Sequence, residues 1–193
     1  KPLNSVTPDN FLNNEQDLSM YTINLYSSAF PGFYSDNTRA NAKARQDNES
    51  DNQVTDNSSY QYWVKGEWRV PTSDANWGFG RIRSCNYFIE RILKKIENNE
   101  NIGKPENVNY YLGEAYFFRA WEYFDKLRRF GDFPIVKNTL VDDKTILIEA
   151  SRRMPRNEVA RFIISDLDSA ALLMGNTQMS GNNRLSRKVA LLI

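Results

Sequence analysis

The segment from Gly113 to Val136, GEAYFFRAWEYFDKLRRFGDFPIV, constrains the fold of this chain more than any other stretch. Spacings of three and four residues place one apolar stripe on a helix: Gly113, Phe117, Ala120, Phe124 and Leu127. Three further rings widen that stripe: Tyr116, Trp121 and Tyr123. So wide an apolar surface needs neighbours on two sides, and its small residues allow another backbone to approach closely. We therefore predict a buried central helix whose rings point inward.

The same segment contains the signals that end a helix. Gly131 predicts a left-handed cap, and Pro134 prevents the helix from resuming. Arg128 and Arg129 complement the negative end of the helix dipole. Two ion pairs of the favourable i, i+4 orientation are also predicted, Glu122 with Lys126 and Asp125 with Arg129. The helix should therefore stop just before Gly131.

Four other helices are predicted from apolar periodicity and capping residues. They are helix one over residues 13–30 with Asn13 or Asn14 as cap, helix two from about 76 to 98, helix four from Pro155 to Met174, and a fifth capped by Ser186. Helix two should begin in the polar tract 72–76, and its buried seam is predicted as Ile82, Cys85, Ile89, Ile92 and Ile96. Cys85 lies in this seam, so we interpret it as a small buried residue with an inert thiol.

These helices predict an all-α (mainly α) fold. Helices two and three over 76–131, and four and five over 155–193, form two successive antiparallel pairs, as in solenoids built from helix pairs. Residues 31–75 lack either period and predict a long polar loop region, with at most a small hairpin about Gly66. Loops of that length are commonly functional.

Composition excludes several classes of chemistry. The chain has no histidine and one cysteine, which removes Ser-His-Asp and Cys-His nucleophiles, imidazole metal sites and internal disulfides. The net charge of +1 gives no support to nucleic-acid binding, and no apolar run is long enough to cross a bilayer. A glycosidase pair of Glu114 and Asp125 fails on geometry, because eleven residues of helix separate them by roughly 16 Å, against roughly 6.5 to 9.5 Å for inversion. Their charges should pair with nearby arginines.

At this point the segment YLGEAYFFRAWEYFDKLRRFGDFPIV resembles the most recognisable helix of the SusD/RagB family. Matching positions include Glu114, Ala115, Phe117, Arg119, Ala120, Tyr123, Phe124, Asp125, Arg128, Gly131, Asp132 and Pro134. Three other segments resemble the family in the same order: VTPDNF near the start, NWGFGRIRSCNYFIERI with Trp77 and Asn86, and MPRNEVARFIISDLDSAALL with Pro155, Arg156, Asp166 and Leu167. Together the segments extend over nearly the whole chain.

The resemblance implies a helical lipoprotein with tetratricopeptide-like helix pairs, exposed on the outer membrane of Bacteroidota. Family members cap a TonB-dependent transporter of the SusC type and capture oligosaccharides, or in some cases peptides. No catalysis, cofactor or metal is implied. The family is substantially longer, so we expect residues 1–193 to be the N-terminal part of a SusD-like domain, without its C-terminal portion. A lipid anchor upstream of this chain would supply the membrane attachment.

Candidate ligand residues combine aromatic platforms for sugar CH faces with planar hydrogen-bonding side chains. They are Asp47, Asp51, Asn52, Trp63, Trp68, Asn76, Trp77 and Arg81, placed by analogy in the loop after helix one and at the start of helix two. Each tryptophan could instead be buried as packing. Asp47 and Asp51 could bind a cation or simply be solvated, since the tract lacks the spacing of an EF-hand loop.

Other functions remain open from the sequence. A helical-repeat adaptor that binds proteins and no nutrient would have the same helices, and a peptide-binding member of the same family would have the same scaffold. An enzyme that uses carboxylates would require turnover of a glycan by this chain.

Overall fold

The computed structural model describes residues 11–29, 77–177 and 184–192, and these contain six α-helices. In chain order they are α1 Glu15–Ala29, α2 Gly80–Glu97, α3 Pro105–Phe130, α4 Lys144–Ala150, α5 Arg156–Met174 and α6 Arg187–Leu192. Within these residues one isolated bridge, Phe133 with Met154, is the β-structure, so the all-α prediction is confirmed. None of the described helices is long and apolar enough to span a membrane. The hairpin predicted near Gly66 lies outside the described residues.

The chain divides into two compact units. The first comprises residues 1–25 and 79–193, and it contains α2 to α6 with most of α1. The second comprises residues 26–78 and coincides closely with the predicted loop region.

The start of α1 agrees with the predicted cap. The side chain of Asn14 accepts a hydrogen bond from the Asp17 backbone N–H at 3.0 Å. Asp17 in turn accepts one from the backbone of Asn13 at 3.1 Å. This reciprocal arrangement satisfies amide groups that have no partner in the first turn, so the helix begins at Glu15.

The predicted start of α2 was wrong. The helix begins at Gly80, and Phe79 occupies its N-cap without a side-chain cap hydrogen bond. The ring of Phe79 stacks on Phe133 at 5.0 Å, so ring packing accompanies the entry of the chain in place of a polar cap. Residues 72–76, where the start was predicted, lie outside the described residues, and residues 77–79 before Gly80 are not helical.

The seam of α2 is buried as predicted through Ile92 but not at Ile96, which is exposed. Lys95 is buried in its place, and its ammonium group donates to Asn13 Oδ1 and Glu100 Oε2, both at 2.7 Å. A buried ammonium group needs hydrogen-bond partners. These two oxygens supply them, so the last turn of α2 buries Lys95 in place of Ile96. Cys85 is buried as predicted, and this burial raises the pKa of its thiol to about 12.

The central helix α3 is buried on several sides along its first half, and Phe117 is fully buried. Phe124 is 38% exposed, against prediction, and Tyr123 is buried instead. The reason lies in the neighbours of the second half. Tyr123 packs edge-on against Phe133 at 6.2 Å and Phe162 at 4.9 Å, and these rings help to bury it. Gly131 ends the helix with a φ of +69°, as expected.

The helices pack antiparallel around α3. Arg81 and Asn86 of α2 contact Glu122 and Arg119 of α3, so residue numbers rise on one helix as they fall on the other. The same reversal relates α3 to α5, where Arg119 contacts Asp166 and Tyr123 contacts Phe162. Tyr21 of α1 stacks on Phe88 of α2 at 5.1 Å, and Asn13 meets Lys95, so α1 and α2 are antiparallel too. The predicted antiparallel packing of α2 against α3 is therefore observed, while that of α5 against α6 stays a prediction.

Gly113 is a point of close approach between α3 and α5. A Cβ atom there would lie 2.9 Å from Met174 Cγ and 3.1 Å from the Ala170 carbonyl oxygen. We expect Gly113→Ala to destabilise the chain by about 1–3 kcal/mol, because added atoms in a packed contact force the helices apart. Urea unfolding followed by circular dichroism measures the change. Gly80→Ala is the matched control, since no atom lies within 4 Å of its Cβ position, and equal losses would contradict the argument.

Glu15 connects the start of α1 to the start of α3. Its carboxylate accepts hydrogen bonds from the Lys104 backbone N–H at 2.5 Å and the Asn107 amide at 2.8 Å. These bonds, the backbone one first, hold the pKa of Glu15 below its ordinary value of 4.5. Gly103 precedes this junction with a φ of +142°, and a Cβ atom there would overlap the Glu15 side chain. The turn therefore requires glycine.

A carboxylate whose folded pKa is lowered contributes stability above its unfolded pKa, and this stability is lost as the pH falls through the folded pKa. We therefore expect Glu15→Gln to be less stable than the unmodified chain at about pH 7, with the difference shrinking once the pH falls below the ordinary value near 4.5. Urea midpoints across pH measure it. Glu149→Gln on α4 is the control, and a difference that does not change with pH would refute this role for Glu15.

Helix α4 was not predicted from the sequence. Asp143 caps it and accepts hydrogen bonds from the backbone N–H groups of Thr145 and Ile146 at 2.9 and 3.0 Å. None of its residues is buried. After it, Asp132 accepts a hydrogen bond from the Arg156 backbone N–H at 2.8 Å, next to the Phe133–Met154 bridge. Both ends of the excursion from 132 to 156 are therefore fastened at one place.

Candidate functional site

Six of the eight predicted ligand residues lie outside the described part of the chain: Asp47, Asp51, Asn52, Trp63, Trp68 and Asn76. Trp77 is half-buried and belongs to the 26–78 unit. Arg81 is 57% exposed, yet its guanidinium donates to Glu122 Oε1 at 2.8 Å and so joins α2 to α3. The ligand role of these residues stays a prediction. For Arg81, the structure adds a contact within the scaffold.

The described residues form a pocket of about 210 Å³ that the sequence did not indicate. Its walls come from the entry to α2, from the stretch after Pro134 and from the end of α4. Phe79, Ile82, Leu140 and Leu147 supply much of the apolar surface, and Asn86 also lines the pocket. All of these residues belong to the first unit, so helix packing within one unit builds the pocket.

One wall of the pocket, the 136–139 segment, is held by side chains of α2 and α3. Asn86 donates from its amide to the carbonyl oxygens of Val136 at 2.9 Å and Asn138 at 3.2 Å. The Tyr123 hydroxyl accepts from the Val136 N–H at 2.8 Å. Glu90 accepts from the Thr139 N–H at 3.1 Å and also from the Thr139 hydroxyl. Because so many groups hold it, the 136–139 segment is fixed without belonging to a helix or strand.

Arg119 organises the buried polar network behind this wall. Its guanidinium makes a bidentate pair with Asp166 at 2.7 and 2.8 Å and donates to Asn86 Oδ1 at 2.9 Å. It lies over the rings of Tyr116 and Phe162, at 5.1 and 5.2 Å from their centroids. Burial would lower the pKa of Arg119, but the bond to Asp166 outweighs it and raises the pKa. The guanidinium therefore stays charged and fixes the orientation of the Asn86 amide.

A second buried charge network joins α1 and α3. Glu114 is fully buried, and its carboxylate accepts a hydrogen bond from Arg184 at 2.5 Å. Arg184 also donates to the Ser19 carbonyl oxygen and hydroxyl, both at 2.8 Å, and to the Thr22 hydroxyl at 3.0 Å. On the surface, Asp125 pairs with Arg129 at 3.0 Å. Pairing of both acids with arginines, as predicted, is confirmed.

The described ranges contain no group of three or more His, Cys, Asp or Glu side chains that could hold a metal ion. Asp47 and Asp51 lie outside those ranges, so the cation alternative for them stays open.

Comparison with known proteins identifies the family. A SusD-like family model, described as starch-binding associating with outer membrane, matches residues 2–192. The chain belongs to this SusD-like family. It is 38% identical over 86 residues to the SusD-like protein P2 of Formosa agariphila, a match that covers 44% of this chain and 17% of that protein.

Two solved structures support the SusD-like fold. A SusD-like protein of Bacteroides fragilis superposes with a TM-score of 0.70 at 26% identity, covering 98% of this chain and 35% of that structure. A SusD-like carbohydrate-binding protein of the same species gives a TM-score of 0.54 at 16% identity, covering 94% of this chain and 36% of its own. The chain therefore spans about a third of the length of these relatives.

Several residues carry the resemblance to SusD-like proteins and also make polar contacts. These contacts are to other residues of the scaffold. Glu114 binds Arg184, Arg119 binds Asp166 and Asn86, Tyr123 binds Val136, Asp125 binds Arg129, and Asp132 caps α5. The segment by which this SusD-like chain is recognised therefore encodes helix packing. A signal for this was available in α2, where Asn86 is a polar residue inside an apolar seam.

Proposed function

We propose that this SusD-like chain is part of a cell-surface protein that captures oligosaccharides and delivers them to a TonB-dependent transporter of the SusC type. The observation that carries the proposal is the family match over residues 2–192, whose description joins starch binding to the outer membrane. The Bacteroides fragilis relative described as carbohydrate binding is consistent with it. On this proposal the protein is a lipoprotein of the outer membrane, anchored by lipid.

The proposed division of labour places the helices of the first unit as scaffold and the 26–78 unit as the carrier of recognition. The buried charges paired across α1, α2, α3 and α5 support a scaffold role for these helices. Among the candidate ligand residues, all except Arg81 fall within 26–78. Aromatic rings there would stack on sugars while asparagine and aspartate side chains bind hydroxyl groups.

Capture without catalysis is the proposed mode of action. Three acidic side chains of the helices, Glu114, Asp125 and Asp166, are each bound to an arginine. A general acid must reach the glycosidic oxygen, which a fully buried Glu114 does not do without rearranging α3. The protein would return its ligand unchanged.

A binding screen tests this proposal directly. Purified protein is passed over immobilised starch, fructan, host-type glycans and a peptide pool. The chain length of each glycan is measured before and after contact with the protein. We expect retention on at least one glycan and no shortening of it. Retention on peptides alone would replace glycan with peptide as the ligand, while absence of any retention would refute the proposal.

A further inference from the structure

Helix α4 displays apolar side chains that the described part of the chain leaves exposed. Ile146, Leu147 and Ile148 follow one another on a helix of seven residues, and Ile148 is 59% exposed. A helix this short is unstable in water without packing, because the cost of its first turn is not recovered. Its exposed apolar side chains therefore mark an interaction surface.

The pocket beside α4 has the size of one side chain. Its volume of about 210 Å³ is below the roughly 300–1,000 Å³ typical of sites for whole small ligands. The amide of Asn86, which lines the pocket, is already bound to Val136, Asn138 and Arg119. The pocket thus presents mainly apolar walls, which suit a leucine or phenylalanine side chain better than a sugar rich in hydroxyl groups.

Basic residues surround this apolar surface. Arg83 lines the pocket and is exposed, and Arg152 and Arg153 follow directly after the pocket residue Ser151. Residues 137–156 contain five basic and three acidic side chains, so this segment is basic on balance. An occupant with carboxylates next to its apolar side chain would therefore be favoured by charge.

We propose that this pocket and the exposed apolar side chains of α4 bind a segment of a partner protein. That segment inserts one apolar side chain, flanked by acidic residues, into the pocket. This goes beyond the proposed function, since the occupant is a protein segment and the residues differ from the ligand candidates. The fixed 136–139 segment makes the pocket preformed, which reduces the ordering cost of binding. Leu147 belongs to both parts of this site, because it is a residue of α4 and also lines the pocket.

Fluorescence anisotropy with labelled peptides tests the site in the full protein. The probes are Asp-Glu-Phe-Glu-Asp, the same peptide with alanine in the centre, and Lys-Lys-Phe-Lys-Lys. We expect the first to bind at least about tenfold more tightly than either of the others, since a buried anchor commonly contributes more than about 1.4 kcal/mol. Equal binding of the three peptides would overturn the proposal.

Two variants locate the binding. Leu147→Asp should weaken binding of Asp-Glu-Phe-Glu-Asp at least about tenfold, and Leu172→Asp should leave it unchanged, because Leu172 on α5 is apolar and 80% exposed but does not line the pocket. Both change exposed residues, so both should fold. Equal effects of the two, or loss of a self-associated species in Leu147→Asp by sedimentation, would overturn the proposal in favour of another occupant. Glycan retention by the same samples tests the proposed function separately.

Discussion

Arg119→Met should destabilise the first unit by about 3–5 kcal/mol. Methionine keeps much of the apolar volume but leaves the Asp166 carboxylate buried without its bidentate partner, and an unpaired buried charge has a cost of that size. Asn86 also loses the donor to its Oδ1 atom, so the hold on the 136–139 segment weakens. Urea unfolding followed by circular dichroism measures the change in the free energy of unfolding.

Two further variants separate this effect from loss of any arginine. Arg81→Met removes an ion pair whose arginine is 57% exposed, so it should cost below about 1 kcal/mol. The double variant Arg119→Met with Asp166→Leu should recover much of the loss, because no lone charge then remains inside. If Arg119→Met costs no more than Arg81→Met, the buried pair does not have the stabilising role assigned to it.

Replacing Trp63, Trp68 and Trp77 together by alanine should weaken glycan retention about 100-fold. Stacking of a ring contributes on the order of 1 kcal/mol beyond area burial, and three such losses amount to that factor. Affinity electrophoresis in a gel containing the glycan identified by the screen measures the retention. An adaptor that binds only proteins would show no retention before or after the change.

The matched control for this variant is Phe124→Ala. Phe124 is an aromatic residue that is 38% exposed on α3, within the first unit rather than the 26–78 unit. It should leave retention unchanged, and the circular dichroism of the triple variant should match that of the unmodified chain. Retention that survives the triple change, or falls equally with Phe124→Ala, would remove the tryptophans from the ligand site.

The sequence predicts the helices well where an apolar stripe repeats over several turns. The end of α5 at Gly175 and the start of α6 after Ser186 both follow the predicted signals. The misses occur where neighbours decide which side is buried. Lys95 replaces Ile96 because two oxygens from other parts of the chain meet its ammonium group. Helix α4 has under two turns, too few to produce a recognisable period.

The pocket is harder to predict, because its parts meet only through tertiary contacts. Asn86 meets Val136, 50 residues later, and Arg119 meets Asp166, 47 residues later. The resemblance identifies several of these residues as typical of a family without giving their roles. Only the geometry assigns Arg119 and Asn86 to the support of one wall.

The two ends of the loop from 132 to 156 are held together by Asp132 and by the Phe133–Met154 bridge, and this has an evolutionary consequence. Since Asp132 and the bridge hold both ends of the loop together, the stretch between Val141 and Asp143 can change in length while α3 and α5 keep their register. Doubling the length of such a loop costs only about 0.6 kcal/mol in closure entropy. Insertions between Val141 and Asp143 would therefore cost little stability. New recognition sequences could be added there without changes in the helices.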